Sequence, residues 1–204
     1  MLDRLITEEL QAGIGSAVIG REIIVLEQTA STNDAILQVA NANLKEGLVV
    51  FAEHQTAGRG QRGNRWESAK GKGLWFSILL RPKIDLASSP RLNAWAAEAI
   101  SGAIQKEFPL TPTIKLPNDV QIDGRKVAGV LVEMRAQEKA AHFAIAGIGV
   151  NVNQSLEDFP KELQNRAISL GMTLGRQVGR RKFAIALLRE LDRTYREKFA
   201  SAEL

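Results

Sequence analysis

Apolar residues along this chain keep two different periods, and the switches between them mark out its elements. Around Leu5 to Leu10 the spacing predicts a short opening helix, followed by glycines and a strand near Ile23–Leu26. Ser31 or Thr32 then stands before a helical stretch, roughly Asp34–Ala42, where a short hydroxyl can accept the free N–H groups of the first turn. Leu48–Phe51 and Leu74–Leu80 are apolar runs of strand length. Leu92, Trp95, Ala96, Ala99, Ile100, Ala103 and Ile104 recur at helical spacing, so Arg91–Phe108 is the clearest amphipathic helix and packs on a sheet. A hairpin follows: Val120–Ile122, an Asp123-Gly124 turn suited to positive φ, then Val127–Met134. His142–Val152 is another strand. Ala184, Leu187, Leu188, Leu191, Tyr195 and Phe199 lay an apolar stripe on a terminal helix whose other face is rich in arginine. Strands joined by hairpins with helices grouped beside them predict an α+β fold, a mixed and mostly antiparallel sheet with helices packed on it.

Composition narrows the chemistry. The 204 residues are 45% hydrophobic, enough for one sizeable core, and no repeat, low-complexity tract or long linker divides them. No apolar run reaches the ~18 to 20 residues of a membrane span, and the start MLDRL has no secretory signal pattern. The expectation is therefore an intracellular, cytoplasmic protein away from membranes. Cysteine is absent, which excludes disulfides, thiolate metal sites and a cysteine nucleophile, and the two histidines, His54 and His142, do not suggest a histidine-rich metal site. A net charge of +4 from 27 basic and 23 acidic residues is no uniform nucleic-acid coat. The excess is local: Arg59, Arg62, Arg65, Lys70 and Lys72 lie within one short stretch against a single acid, Glu67.

That stretch contains GRGQRGNRW, Gly58 to Trp66. Its G-x-G-x-x-G spacing matches the dinucleotide fingerprint, but that device needs a helix after the last glycine, and NRWESAKGKG followed by a strand does not supply one. Nor does the chain contain the kinase or P-loop signatures. Glycines that bare backbone N–H groups, set among arginines with forked donors, still favour an anionic ligand, and a loop so charged is expected to stay mobile until that ligand arrives. Trp66 would close over an apolar part of it. The plainer reading is a solvated surface loop. Three further segments carry polar groups, each with a plain reading beside it: TASTN (Thr29–Asn33), an N-cap; IKLPNDV (Ile114–Val120), a turn with a solvated lysine; and RKVAGVLVE (Arg125–Glu133), a hairpin-end lysine. Gly129 inside the last segment suggests that something approaches its backbone closely.

Taken together and in order, STN (Ser31–Asn33), QTAGRGQRGNRW (Gln55–Trp66), KLPND (Lys115–Asp119), RKVAGVLVE (Arg125–Glu133) and GIGVNVN (Gly147–Asn153) resemble the catalytic domain of the biotin protein ligases, the biotin–[acetyl-CoA-carboxylase] ligases. The resemblance spans roughly Ser31 to Asn153 and implies a class II synthetase-like catalytic domain. It also implies the reaction: biotin's carboxylate attacks the α-phosphate of ATP, with magnesium, giving biotinyl-5′-AMP and pyrophosphate. A lysine of a biotin carboxyl carrier protein domain of a carboxylase then displaces AMP. Carried over residue by residue, Arg59, Arg62, Lys115 and Lys126 would be catalytic. Ser31, Thr32, Asn33, Gln55, Gly58, Arg59, Gly60, Gln61, Trp66, Lys126 and Gly129 would hold biotin, whose ureido ring needs short polar groups within apolar walls. Arg59, Arg62, Trp66, Lys115, Asn118, Gly147, Gly149 and Asn151 would hold the nucleotide. Asp119 would orient magnesium or accept a proton from the incoming lysine.

Three departures accompany the resemblance. Gln61 and Asn64 stand where the common GRGRRGR loop has arginines, and Leu116 replaces the tryptophan of KWPND. Residues 1–204 correspond to the catalytic domain, with neither the N-terminal winged helix nor the small C-terminal β domain of relatives, so no DNA binding is expected; a homodimer stays open. The rivals are a lipoate ligase or octanoyltransferase of related fold, an arginine–glycine nucleic-acid segment, and an inactive relative that retains biotin.

Overall fold

Strand alternation on this chain serves two cores at once, because both faces of the sheet are covered. The computed structural model describes residues 3–15, 17–39, 45–137 and 140–200. Seven strands form one sheet: β1 (Glu22–Leu26), β2 (Leu48–Ala52), β3 (Gly73–Leu80), β4 (Thr113–Lys115), β5 (Asp119–Ile122), β6 (Arg125–Gln137) and β7 (Ala140–Asn151). Their order is β1-β2-β3-β7-β6-β5-β4; β1 and β2 run parallel and every other pair is antiparallel. The helices are α1 (Thr7–Ile14), α2 (Thr32–Val39), α3 (Ser89–Glu107), α4 (Leu170–Leu174) and α5 (Arg180–Tyr195), the last continued by a wider turn over Arg196–Ala200. The α+β architecture anticipated above is the one observed.

On β2 and β3, Val49, Phe51, Leu74, Phe76 and Ile78 join the larger core with Leu92, Trp95 and Ile100 of α3 and Leu187, Leu188 and Leu191 of α5. Leu48, Val50 and Leu79 point the other way, to a smaller core with Ala35 and Ile36 of α2 and Phe143 and Ile145 of β7. Among the described residues, α2 is the helix that covers that second face in the smaller core, and it is short. Where its cover ends, the sheet face is open to a ligand.

Differences from the sequence reading are local and have local causes. The opening helix starts at Thr7 rather than Leu5, because the Leu5 N–H is held at 2.8 Å by the Glu53 carboxylate. Helix α3 extends back to Ser89, with Pro90 in the first turn, where its missing N–H costs nothing. Helix α4 was not anticipated: five residues are too few for a period, and its signal is the Ser169 cap, which accepts the Met172 N–H. The expected end of the second helix, Ala40–Ala42, lies outside the described residues. The Asp123-Gly124 turn has φ of 49° and 73°, the doubly positive geometry that a two-residue hairpin requires.

Leu187 is fully buried in the larger core. Leu187→Ala is expected to lower unfolding stability by about 2–5 kcal/mol, measured by denaturant titration, through lost contacts and the cavity left behind.

Candidate active site

Glycines build the floor of the site. In the sheet register Ser77 faces Gly147 and Gly147 faces Leu131, while in the adjoining row Trp75 faces Gly149 and Gly149 faces Gly129. These residues share the parity of Leu79 and Ile145, so they lie on the face covered by α2. The missing side chains leave a trough, and two side chains from elsewhere fill it. A Cβ on Gly147 would lie 2.2 Å from Asn33 Oδ1; on Gly149 it would lie 2.4 Å from the Trp66 ring, and on Gly129 2.9 Å from the same ring. The close approach anticipated at Gly129 is therefore made by the Lys126 side chain, 2.8 Å from such a Cβ, together with the Trp66 ring. The Trp66 indole also meets Trp75 edge to face at 6.1 Å, and its buried N–H has no hydrogen-bond partner.

One end of the trough is a chain of short polar groups. Gln55 Oε1 accepts the Thr32 backbone N–H at 2.8 Å, with the Thr32 hydroxyl at 3.1 Å, and Gln55 Nε2 donates to Ser68 at 3.0 Å. The Ser77 hydroxyl contacts Thr32 Oγ1 at 2.8 Å and donates to Asn33 Oδ1 at 2.6 Å, while Asn33 Nδ2 donates to Glu133 at 2.7 Å. Gln55 Oε1 and Asn33 Oδ1 can only accept, so the single Thr32 hydroxyl proton goes to Gln55 and the single Ser77 proton is shared between Asn33 Oδ1 and Thr32 Oγ1. The start of α2 is held by the Ser31 carbonyl, which accepts from Asp34 and Ala35. The Thr32 hydroxyl thus serves the trough. Ser31, Thr32, Asn33, Gln55, Arg59, Gly60, Gln61, Trp66, Asn118, Lys126, Gly129, Gly147 and Gly149 all line this first cavity.

The basic loop is ordered by its own backbone. Trp66 donates to the Gly58 carbonyl at 2.9 Å, Gly60 donates to Asn64 at 2.7 Å, and Arg59 bridges Arg65, so the stretch closes as a small ladder around a turn at Gln61–Gly63. The expected self-repulsion is offset by acids from elsewhere. Arg59 grips Asp34 with both terminal nitrogens at 2.5 and 2.9 Å and reaches Glu133 at 3.4 Å. Arg65 pairs with Glu67, Lys70 with Glu27 and Lys72 with Asp158. Hydrogen bonding to Arg59 holds the Asp34 carboxyl below its usual range, against the opposing effect of partial burial. What this carboxylate contributes to stability is therefore complete at neutral pH and is lost only as pH falls through the depressed value. Arg62, at φ 58°, stands exposed on the turn and lines neither of the cavities described here; among the described residues it has no ion pair. Gly58 also lies off both linings, packed beneath the Trp66 carbonyl.

A second, larger cavity adjoins the first and shares Trp66 and Lys126 with it. Lys115, Asp119, Asn151 and Arg166 line it as well. The Lys126 ammonium sits at the junction, 2.6 Å from Asp119 Oδ1 and 5.2 Å above the Trp66 ring. Its backbone is pinned from both sides: Lys126 N–H donates to the Arg166 carbonyl at 2.8 Å, and Ile168 N–H donates to the Lys126 carbonyl at 3.0 Å. Asn118 and Asn151 are tied into the frame. Asn118 Nδ2 donates to the Val130 carbonyl, and Asn151 Nδ2 donates to the Ile168 carbonyl. Lys115 is exposed at the rim of the second cavity.

For magnesium, the residues fit poorly as a protein-built cage. Asp119 is a single carboxylate with a lysine already on it, and among the described residues no three His, Asp or Glu side chains gather into a metal cluster. Magnesium takes six oxygen ligands and is commonly held by one or two carboxylates plus substrate phosphates, so most of its ligands here would have to come from a nucleotide.

Sequence reading missed Ser77, Asp34, Asn93 and Arg166, and it quoted Glu133 without giving it a role. Ser77 was legible as the one polar residue in an apolar strand; the others depend on contacts between distant segments.

Gly149→Ala is expected to expel Trp66 from the trough while the sheet persists, read as a shift in tryptophan emission and faster tryptic cleavage after Arg65. An unchanged spectrum and cleavage rate would show that the ring does not depend on that seat.

The biotin/lipoate A/B protein ligase family model matches residues 25–151. The bifunctional ligase/repressor BirA of Bacillus subtilis is 38% identical over 95% of this chain, and the biotin–[acetyl-CoA-carboxylase] ligase of Mycobacterium tuberculosis is 34% identical over 88%. The chain spans 60% of the length of the first of these relatives and 66% of the second. Among solved structures, the biotin protein ligase of Aquifex aeolicus in complex with biotin and ATP superposes with a TM-score of 0.72 and 30% identity, covering 88% of this chain and 73% of that one. With the family model matching more than half of its length and running through the loop, the trough and the lysine at their junction, the chain belongs to the biotin/lipoate A/B protein ligase family.

Proposed function

We propose that this domain activates biotin with ATP as biotinyl-5′-AMP and transfers the biotinyl group to a lysine of a biotin carboxyl carrier domain. The observation that carries this reading is the pair of adjoining cavities with one ammonium, Lys126, at their junction. Biotin would occupy the first cavity, displacing Trp66 from the trough so that the ring closes over the ligand. The Thr32, Ser77, Asn33 and Gln55 chain offers both donors and acceptors to a ureido ring, and the floor of Gly129, Gly147 and Gly149 gives the bicycle room. Lipoate and octanoate have no ureido group and would leave those buried polar groups without a ligand partner, which favours biotin over the related acids.

In the first step the biotin carboxylate oxygen bonds to the α-phosphorus as pyrophosphate leaves. An anion must approach a polyanion, so the barrier falls where fixed cations offset the repulsion. Lys126 would turn from Asp119 to the carboxylate, and Arg59, released from Asp34 and Glu133, would hold the phosphate. The second cavity, with Lys115 and Arg166 at its rim, would take the nucleotide, and magnesium would arrive with the ATP phosphates. Arg62 would reach the adenylate only if the turn folds inward. In the second step the carrier amine attacks the acyl carbon and AMP leaves; Asp119, then free of Lys126, is a carboxylate in the right cavity to take the amine's proton.

Pyrophosphate release with ATP and magnesium is expected with biotin and not with lipoate or octanoate; release that favours either fatty acid would reverse the assignment. Lys126→Ala should slow adenylate formation by about 10²- to 10³-fold with an unchanged circular dichroism spectrum, the usual loss when a charge-stabilising donor is removed.

Gln61 lines the first cavity and reaches Asn93 at 3.5 Å instead of supplying a cation. Gln61→Arg should slow dissociation of biotinyl-5′-AMP by about tenfold, the worth of one charge-assisted hydrogen bond of about 1.5 kcal/mol. An off-rate equal to the wild type's would show that the tip does not touch the intermediate.

A further inference from the structure

One buried ion pair has no part in either cavity. Arg180, the first residue of α5, is 2% exposed, and Glu53, just beyond β2, is 4% exposed. Arg180 Nη1 donates to Glu53 Oε2 at 2.8 Å and to the Gly73 carbonyl at 3.1 Å. Its Nη2 donates to Glu53 Oε1 at 3.2 Å and to the Asp3 carbonyl. The Arg180 backbone N–H donates to the Asp3 carboxylate at 2.6 Å, and Glu53 Oε1 also receives the Leu5 N–H at 2.8 Å. The Gly71 N–H completes the cluster by donating to the Glu53 carbonyl at 3.0 Å.

Glu53 and Gly73 are the two ends of the segment that carries Gln55, Arg59, Gln61 and Trp66. One guanidinium therefore holds both ends. From Glu53 the chain runs straight into Gln55, which Thr29 bridges and Thr32 bonds. From Gly73 it enters β3, where Trp75 touches Trp66. Apolar residues of similar volume would often fill such a place with no loss of stability, since two charges must be stripped of water to form the pair. They could not reproduce a planar fork of donors directed at two separate backbone carbonyls, those of Gly73 and Asp3, and at the Glu53 carboxylate.

We propose that Arg180 is a positioning residue for ligand binding. It fixes the separation of the loop's two ends and ties them to the N-terminal segment Asp3–Leu5, so that Gln55 and Trp66 meet the trough in register. This rests on the reading of the loop as the biotin and adenylate site. Loss of the clamp leaves Lys126, on β6, in place and misplaces Gln55 and Trp66, the loop groups that grip biotin.

The test compares the wild type with Arg180→Lys, which keeps the charge and loses the fork, and with the double variant Glu53→Met/Arg180→Met, which removes both charges without orphaning either. The readouts are the melting temperature, the biotin KM and kcat for pyrophosphate release, and the rate of tryptic cleavage after Arg59, Arg62 and Arg65. For the double variant a lowered melting temperature is expected, because the Leu5 N–H and the Gly73 and Asp3 carbonyls lose their partners, with biotin KM raised about tenfold, kcat within about threefold, and the loop cleaved faster. A purely stabilising role predicts a lowered melting temperature with wild-type KM and wild-type cleavage; a folded double variant with wild-type KM and cleavage overturns the proposal. If the double variant does not fold, Arg180→Lys decides by the same readouts, wild-type values again overturning it. Should the wild type release no pyrophosphate with biotin, the functional reading falls, and the cleavage rates of the same variants still decide the clamp.

Discussion

A sheet whose two faces are both covered has no room for a ligand unless side chains are removed from one of them. In this chain three residues in two neighbouring rows, Gly129, Gly147 and Gly149, leave that room on the face that the short helix α2 covers. Asn33 and Trp66 enter it from different segments, one at the start of that helix and one at the end of the basic loop. The polar chain, the ring and the lysine of the site are all placed relative to this floor. Any side chain on it would collide with groups that the site uses, so the floor constrains the site more than any single contact does.

The electrostatics follow from the same arrangement. Arg59 and Lys126 meet carboxylates of the chain itself, Asp34 with Glu133 and Asp119 respectively. These acids offset the repulsion that so many cations would otherwise feel, and they keep the cations close to where an anionic ligand would lie. A ligand carboxylate or phosphate then replaces one anionic partner with another, which asks less of the protein than burying a bare cation. Partial exposure of these pairs makes the exchange cheap, because each is worth only a modest amount in a solvated setting.

The loop illustrates how a glycine-rich, arginine-rich stretch can be ordered without an apolar stripe. Its glycines allow a backbone ladder to close between Gly58 and Trp66 and between Gly60 and Asn64, and its two ends converge on buried charged groups. Positive φ at Arg62 and Gly63 confines the strained geometry to the tip. The tip is also the place where this chain carries Gln61 and Asn64.

Periodicity alone was enough for the strands and for α3 and α5, because a core on both faces of a sheet imposes long apolar runs and a helix on it imposes a stripe. The ordered motifs pointed to the family because each is short and sits at a turn or strand end whose local pattern is distinctive. Tertiary structure decided the rest. No local pattern could pair Arg59 with Asp34, lay Trp66 on Gly149, leave Arg62 outside the cavities, or bring Arg180 to both ends of a loop more than a hundred residues earlier in the chain. Those are meetings between side chains distant in sequence, and their energies depend on burial and direction, which come into being only when the sheet has set the distances.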